Sequence, residues 1–161
     1  MQPLDTGLNV AIMHIATKLF PTGFDVSPNA PNTFEELKAH LDTGKRMVVF
    51  SGGSDASIYA DPEVNWCFRA WHDWCHWRGN HPLSLAGECA TCAMQAQHLL
   101  TLYGNGPSVR RWIAILHAEI IGQADFYRDH GHFPDNQYEF VTRYLSVQSR
   151  HRASLAHCAP S

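Results

Sequence analysis

The segment from Pro62 to Arg78, PEVNWCFRAWHDWCHWR, most constrains the fold because its apolar residues occupy two sides of a helix. At about 100° per residue, one apolar arc contains Val64, Phe68, Trp71 and Cys75, and a second contains Trp66, Ala70 and Trp77. Between the arcs lies a narrow polar stripe of Asn65, Arg69, His72 and His76. A solvated face would be broader, so we predict that this stripe points into the protein.

The rest of the chain indicates further helices separated by proline- and glycine-containing breaks. Apolar periodicity and end signals predict helices at 8–20, 33–43, 86–103, 108–129 and 135–148. The stretch RMVVFSGG, which begins at residue 46, is the one β-like piece. We therefore predict an all-α fold, a bundle of five to six helices with at most a short β-hairpin near 46–60. Residues 1–148 would form one domain, and 149–161 a flexible C-terminal tail.

Composition argues against several classes of partner. The formal net charge is −3 and no block of lysine and arginine stands out, whereas nucleic acids and anionic membranes are bound by clustered positive charge. No stretch reaches the roughly 18 apolar residues that span a bilayer, and the N-terminus is a poor signal peptide. The five cysteines favour reduced thiols. We expect a cytoplasmic protein, and the sequence leaves a homo-oligomer open.

Two other predicted helices also carry polar residues within their apolar arcs. Glu88 and Gln95 fall inside the arc of the helix from 86, and Glu119 and Gln123 lie near the middle of the buried face of the helix from 108. Burying an unpaired carboxylate costs several kcal/mol. A shared cation would explain all of these positions. We predict a divalent metal ion (Zn, Mn or Fe), whose candidate ligands are His72, His76, Glu88, Glu119 and Gln123.

Other interpretations of these residues stay open. Histidines four residues apart on a helix are often structural, and Glu88 could cap its own helix. Glu119 could pair with Gln123 or with Arg69 without metal. Cys89 and Cys92, taken with the two histidines, give H-x3-H-x12-C-x2-C, which a structural Cys2His2 zinc site would also fit.

The run His72-Asp73-Trp74-Cys75-His76 resembles the HD-type metal-dependent phosphohydrolases. That resemblance implies an all-α enzyme that binds metal through a His-Asp dipeptide and hydrolyses nucleotides and related phosphate esters. The family's further ligands would fall to His14 or His40 and to Asp125, although the surrounding motifs do not match. The likeness covers fewer than ten residues.

Two broader likenesses point in other directions. The inventory of Glu88, Glu119, His72 and His76 resembles that of ferritin-like di-iron carboxylate proteins, which implies an iron oxidase. Neither glutamate begins a Glu-x-x-His pair, because residues 91 and 122 are Thr91 and Gly122. The stretch from Ile58 to Phe140 also resembles small proteins of bacteria and their phages, which implies a source and no activity.

Arg69 favours hydrolysis among these chemistries. It shares the stripe with both histidines, where a guanidinium would bind an anionic oxygen beside the ion. We expect a metal-dependent hydrolase of a phosphorylated or nucleotide-like small molecule, with Arg69, Asp73 and Glu119 as catalytic residues. The alternatives are an iron-carboxylate oxidase and a non-catalytic binding or adaptor protein with a buried polar network.

Overall fold

The computed structural model describes residues 2–54 and 57–157, of which 150–157 are described by their backbone alone. Its α-helices are α1 Thr6–Leu19, α2 Phe34–Asp42, α3 Pro62–Gly79, α4 Leu85–Tyr103, α5 Pro107–His117, α6 Gln123–His130 and α7 Gln137–His157. A π-helix, Ala118–Gly122, joins α5 to α6, and the strands are β1 Asp25–Ser27 and β2 Val48–Phe50. The predicted all-α bundle with a small β element is confirmed. Within the described ranges, no helix has the length and apolarity needed to cross a membrane.

Helix α3 lies at the centre of the fold because its two apolar arcs pack against different neighbours. It contacts α1 and α4 on one side and α2 and β2 on the other. Trp71 is fully buried in the main core, which the helices of the bundle share, and Ala70 belongs to a second core with Leu37, Met47 and Val49. Asp61 is the N-cap of this helix, and its carboxylate accepts a hydrogen bond from the Glu63 N–H. Pro62 occupies the first turn, where a proline is tolerated.

The β element differs from the expected hairpin. Strand β1 pairs with β2 in parallel, in the register Asp25 to Val48 through Ser27 to Phe50. Parallel strands need a crossover connection, which α2 supplies. Strand β1 falls in the break between the predicted helices 8–20 and 33–43, where a three-residue strand with no alternating apolar pattern gives little sequence signal.

The predicted helix 108–129 is interrupted. After His117 the chain makes one π-helical turn before α6 begins. Such a turn holds about one residue more than an α-helical turn, so the residues after it are rotated by roughly 100° relative to a regular helix. A regular helix from 108 to 129 would place Tyr127 on its apolar face, but after this rotation Tyr127 is 48% exposed.

The last helix is longer than predicted. The backbone of α7 continues to His157, whereas the sequence indicated an end at 148. The predicted flexible tail, 149–161, therefore overlaps the end of α7, and its last residues, 158–161, lie outside the described residues.

Candidate metal centre

Two imidazoles of α3 face each other at the inner side of the polar stripe. His72 and His76 lie one helical turn apart, and their Nε2 atoms are 3.0 Å from each other. His76 is fully buried, and His72 is partly buried against the Phe68 ring. Both histidines therefore point into the protein, as the sequence predicted.

The other ring nitrogen of each histidine is held by a fixed acceptor. Nδ1 of His76 donates to the carbonyl oxygen of His81 at 2.8 Å, and Nδ1 of His72 donates to Oε1 of Gln95, as its amide is oriented, at 3.0 Å. A neutral imidazole carries one proton, so in its neutral form each ring would present an unprotonated Nε2 to the centre. This tautomer is the one that binds a metal through Nε2.

The carbonyl of His81 reaches His76 because α3 ends in a tight turn. Asn80 adopts a left-handed conformation, with φ of 52°, and its N–H closes the last turn of the helix. The His81 ring packs over Gly79, where a side chain would collide with it. The His81 N–H then donates to the His76 carbonyl at 2.9 Å, so the two residues are bonded in both directions.

Glu88 enters the centre from the first turn of α4. Ser84 caps this helix by accepting from the Gly87 N–H, and Gly87 packs directly against the backbone of Pro82. Glu88 Oε2 lies 3.1 Å from His72 Nε2, and its Oε1 lies 3.4 Å from His76 Nε2. Burial raises the pKa of Glu88, but hydrogen bonds and charge from the two histidines outweigh burial and lower the pKa to about 2.

These three side chains form a group that could hold a metal ion. One ligand atom from each of His72, His76 and Glu88 lies within 4.8 Å of the other two. Two imidazole lone pairs and one carboxylate repel one another unless a cation lies between them. Two nitrogens and one oxygen suit Zn²⁺ or another transition metal, and three protein ligands leave coordination positions open.

A cavity of about 730 Å³ opens beside this group. Its polar lining includes His72, Glu88, Glu119 and Gln123, and its apolar lining includes Phe68, Leu83, Leu85, Ile120, Tyr127 and Phe133. A small number of polar groups converging in a mostly apolar cavity is typical of small-molecule sites.

Glu119 and Gln123, two further predicted ligands, lie in the wall of this cavity. Gln123 Nε2 donates to Glu119 Oε2 at 2.7 Å, so the local pairing considered from the sequence is present. Burial raises the pKa of Glu119 to about 7, against the opposing effects of Gln123 and Arg69. Within the described residues, Glu119 does not join the group of three.

Arg69 and Asp73 lie beside the centre and do not line the cavity. The Arg69 Nη1 donates to the carbonyl oxygens of Phe50 and Gly52, at 2.7 and 2.6 Å. Burial raises the pKa of Asp73 to about 6, although the charges of the two histidines and of Arg69 oppose it. Asp73 is likewise outside the group of three, among the residues that the structure describes.

The remaining candidates are engaged elsewhere. Cys89 is exposed and Cys92 is buried, and the structure brings neither into the group with His72 and His76. Of the residues that the HD-type resemblance implies, His14 bonds to Tyr103, His40 to the Arg46 carbonyl, and Asp125 to Arg128.

Sequence reasoning missed two parts of the site. The acceptor for His76 is a backbone carbonyl in a loop, which no side-chain pattern reveals. The mouth of the cavity uses Leu83 and Phe133, both in segments interpreted only as helix breaks. The one sequence signal for this part of the site was the presence of an apolar residue in each of two short, otherwise polar loops.

Comparisons with known proteins add no relative. A scan against protein-family models, a search of curated proteins and a search of solved structures each found no match. The interpretation of this centre therefore depends on its own geometry.

Proposed function

We propose that this chain is a metal-dependent hydrolase of a small molecule. One observation carries the proposal: two imidazole nitrogens and a carboxylate oxygen converge at the wall of a cavity large enough for such a substrate. His72, His76 and Glu88 are the proposed ligands of a single divalent ion. A bound ion of this kind activates water at neutral pH and polarises the group to be hydrolysed.

Glu119 is the proposed general base. It lines the same cavity, and its pKa of about 7 allows it to accept a proton near neutral pH. Gln123 holds one of its oxygens, which orients the other. A bound cation would lower this pKa and favour the ionised form that acts as base. Asp73 is a supporting residue in this proposal, because it does not line the cavity.

A phosphorylated or nucleotide-like substrate remains the proposed class. The metal ion would supply the positive charge that a phosphate oxygen needs, since Arg69 is bonded to backbone carbonyls and does not line the cavity. This changes the role proposed for Arg69 from anion binding to support of the loop at residues 50–52.

Hydrolysis assays on metal-stripped and metal-restored protein test the proposal. We expect turnover of aryl phosphate mono- or diesters with Zn²⁺ or Mn²⁺, its loss with a chelator, and its loss in Glu88→Gln. Glu119→Gln should bind the ion normally and lose about 10²–10⁴-fold in kcat, the range for a missing general base. Turnover that is equal with and without the chelator would contradict the proposal.

A mononuclear iron oxidase is the second candidate, and the donor set favours it. Two histidines and one carboxylate with open positions are also the ligands of non-haem Fe(II) oxygenases. This candidate predicts near-stoichiometric iron after aerobic expression in iron-rich medium and an absorbance change that depends on O2. Protein that takes up zinc alone and stays colourless would argue against it.

A further inference from the structure

Large exposed apolar side chains gather around the mouth of the cavity. Nine such side chains occur in the described residues, and four of them line this one cavity: Leu83, Leu85, Tyr127 and Phe133. Isolated exposed apolar residues need no explanation, but a contiguous group around a concave site indicates a ligand. Leu83 and Leu85 come from the start of α4 and the loop before it, and Tyr127 and Phe133 from α6 and the loop after it.

Tyr127 and Phe133 form an aromatic pair at this mouth. Their ring centroids are 4.9 Å apart with an angle of 40° between the planes, and Phe133 is 57% exposed. Gly131, with φ of +76°, ends α6 and turns the chain so that Phe133 returns towards Tyr127. The π-helical turn before α6 gives Tyr127 its outward direction. Two rings held open to solvent could stack or enclose a planar group.

The charges in the cavity wall limit how many anionic groups a ligand can carry. Glu88 and Glu119 are acidic, and Arg128 is the one lysine or arginine of the lining among the residues whose side chains the structure describes. The Arg128 guanidinium is already paired with Asp125 and Asp129, each at 2.9 Å. The wall therefore offers an anion little positive charge beyond that of a bound metal ion, which disfavours di- and triphosphates.

We propose that Tyr127 and Phe133 bind a planar aromatic group of the substrate and so determine specificity, and that the substrate carries one anionic group, placed at the metal. The second part rests on the proposed function, and the first stands without it. The substrate class is an aryl or nucleoside monophosphate ester. The cavity volume, about 730 Å³, lies within the roughly 300–1,000 Å³ of small-molecule sites, which favours such a molecule over a protein partner.

Calorimetry with phenylphosphonate and methylphosphonate tests the aromatic pair, because the two probes share their charged group, differ in the ring and have no ester bond to hydrolyse. We expect phenylphosphonate to bind metal-loaded protein about tenfold more tightly, as expected for one stacked ring. Phe133→Ala and Tyr127→Ala should each reduce this ratio, and the double variant should bring it close to one. Val147→Ala, which removes an exposed apolar side chain of α7, is the control and should keep the ratio.

Repeating the titration after chelator treatment separates this inference from the proposed function. Ring preference that persists without metal, or that persists with metal in the absence of turnover, supports the aromatic pair even if hydrolysis is wrong. Equal affinity for the two probes overturns the inference, as does an unchanged ratio in the double variant. The inference is also overturned if the Tyr127 and Phe133 variants keep the ratio of probe affinities but form fewer oligomers, because the two rings would then belong to a protein interface.

Discussion

At the scale of single residues, the proton positions on His72 and His76 determine what the centre can bind. Both Nδ1 atoms donate to fixed acceptors, so two neutral rings would place two Nε2 lone pairs 3.0 Å apart beside the Glu88 carboxylate. A proton on His72 is the metal-free way to relieve this repulsion. Burial lowers the pKa of His72, but the hydrogen bond and charge of Glu88 outweigh burial and raise it above its ordinary value. Metal and proton therefore compete for the same nitrogens.

Gln95 is expected to support metal affinity through His72. It is fully buried, and its Oε1 accepts from His72 Nδ1 while its Nε2 has no partner among the described residues. Gln95→Met keeps the volume and removes the acceptor, so it should weaken metal binding about 10–100-fold. The measurement is competition with a chelator. Gln97→Met, at an exposed position of the same helix, is the control, and equal affinity of Gln95→Met and wild type would contradict the role.

Glu119 is expected to make stability depend on pH. Its folded-state pKa of about 7 lies above the ordinary glutamate pKa of 4.5, so between these two pH values the folded chain binds more protons than the unfolded chain. Its contribution to the free energy of unfolding is therefore lost as pH rises through this window, by up to about 3 kcal/mol. Glu119→Gln should be more stable than wild type at pH 8 and similar below pH 4.5.

Urea unfolding of chelator-treated protein from pH 4 to 8 measures this difference. Glu139→Gln, at an exposed position of α7, is the control and should follow the wild-type curve at each pH. A constant difference between Glu119→Gln and wild type over the whole range would show that burial of the carboxylate has no such effect.

Helix phase predicts the direction of a side chain at its base but not at its end. That direction was sufficient to predict where His72, His76 and Glu88 point, because their side chains are shorter than that of Arg69. Arg69 starts in the same stripe, yet its long side chain extends to the carbonyls of Phe50 and Gly52. The loop that supplies those carbonyls could not be positioned from sequence.

At the scale of elements, the regular helices were predictable and the irregular turn was not. Caps and breaks give the bounds of α3 and α4 within about one residue, because capping and proline effects are local. The π-helical turn at Ala118–Gly122 has no comparable local signal. It nevertheless rotates α6 so that Tyr127 faces the cavity mouth, and π-turns are frequent at functional sites.

Gly87 is expected to be required where α4 meets the preceding loop. A Cβ at this position would overlap the carbonyl oxygen of Pro82, which is backbone and cannot move away easily. Gly87→Ala should cost about 1–3 kcal/mol of unfolding free energy and weaken metal binding, because Glu88 follows directly. Urea unfolding and metal titration measure the two effects.

Gly106→Ala is the matched control for this substitution. Its φ is −79° and no atom of the described residues lies within 4 Å of the added Cβ. Its stability should therefore fall only by the roughly 0.5–1 kcal/mol that alanine costs at the N-cap of α5, and its metal affinity should not change. Gly87→Ala that resembles Gly106→Ala in both measurements would contradict the packing argument.

At the scale of the whole molecule, α3 joins the helical bundle to the small β-α-β layer. The two apolar arcs of the sequence predicted a helix covered on both sides, and the structure places α1 and α4 on one side and α2 with β2 on the other. The partner strand for β2 was not predictable, because parallel pairing depends on a crossover that brings distant segments together. The all-α class could be predicted from the helical periodicity of apolar residues. The small sheet could not, because it forms through contacts between segments that are distant in sequence.

Arg69 is expected to stabilise the junction of these two layers. Its guanidinium bonds to carbonyls just after β2 and lies 5.9 Å from the Phe50 ring centroid. Arg69→Met should lower the free energy of unfolding by about 1–3 kcal/mol and leave the affinities for metal and for methylphosphonate unchanged. Arg78→Met, at an exposed position of the same helix, should change neither the stability nor these affinities. Lost phosphonate affinity with normal stability would instead assign Arg69 to anion binding.

Metal titration of chelator-stripped protein tests the central claim most directly. Calorimetry with Zn²⁺, Mn²⁺ and Fe²⁺ should give one ion per chain for at least one metal, with proton release if His72 is protonated in the free state. Glu88→Gln, which preserves shape and removes the charge, should lose more than about 100-fold in affinity, and His40→Ala should lose none. An absence of binding for all three metals, or Glu88→Gln with wild-type affinity, would show that His72, His76 and Glu88 form a hydrogen-bonded network and not a metal centre.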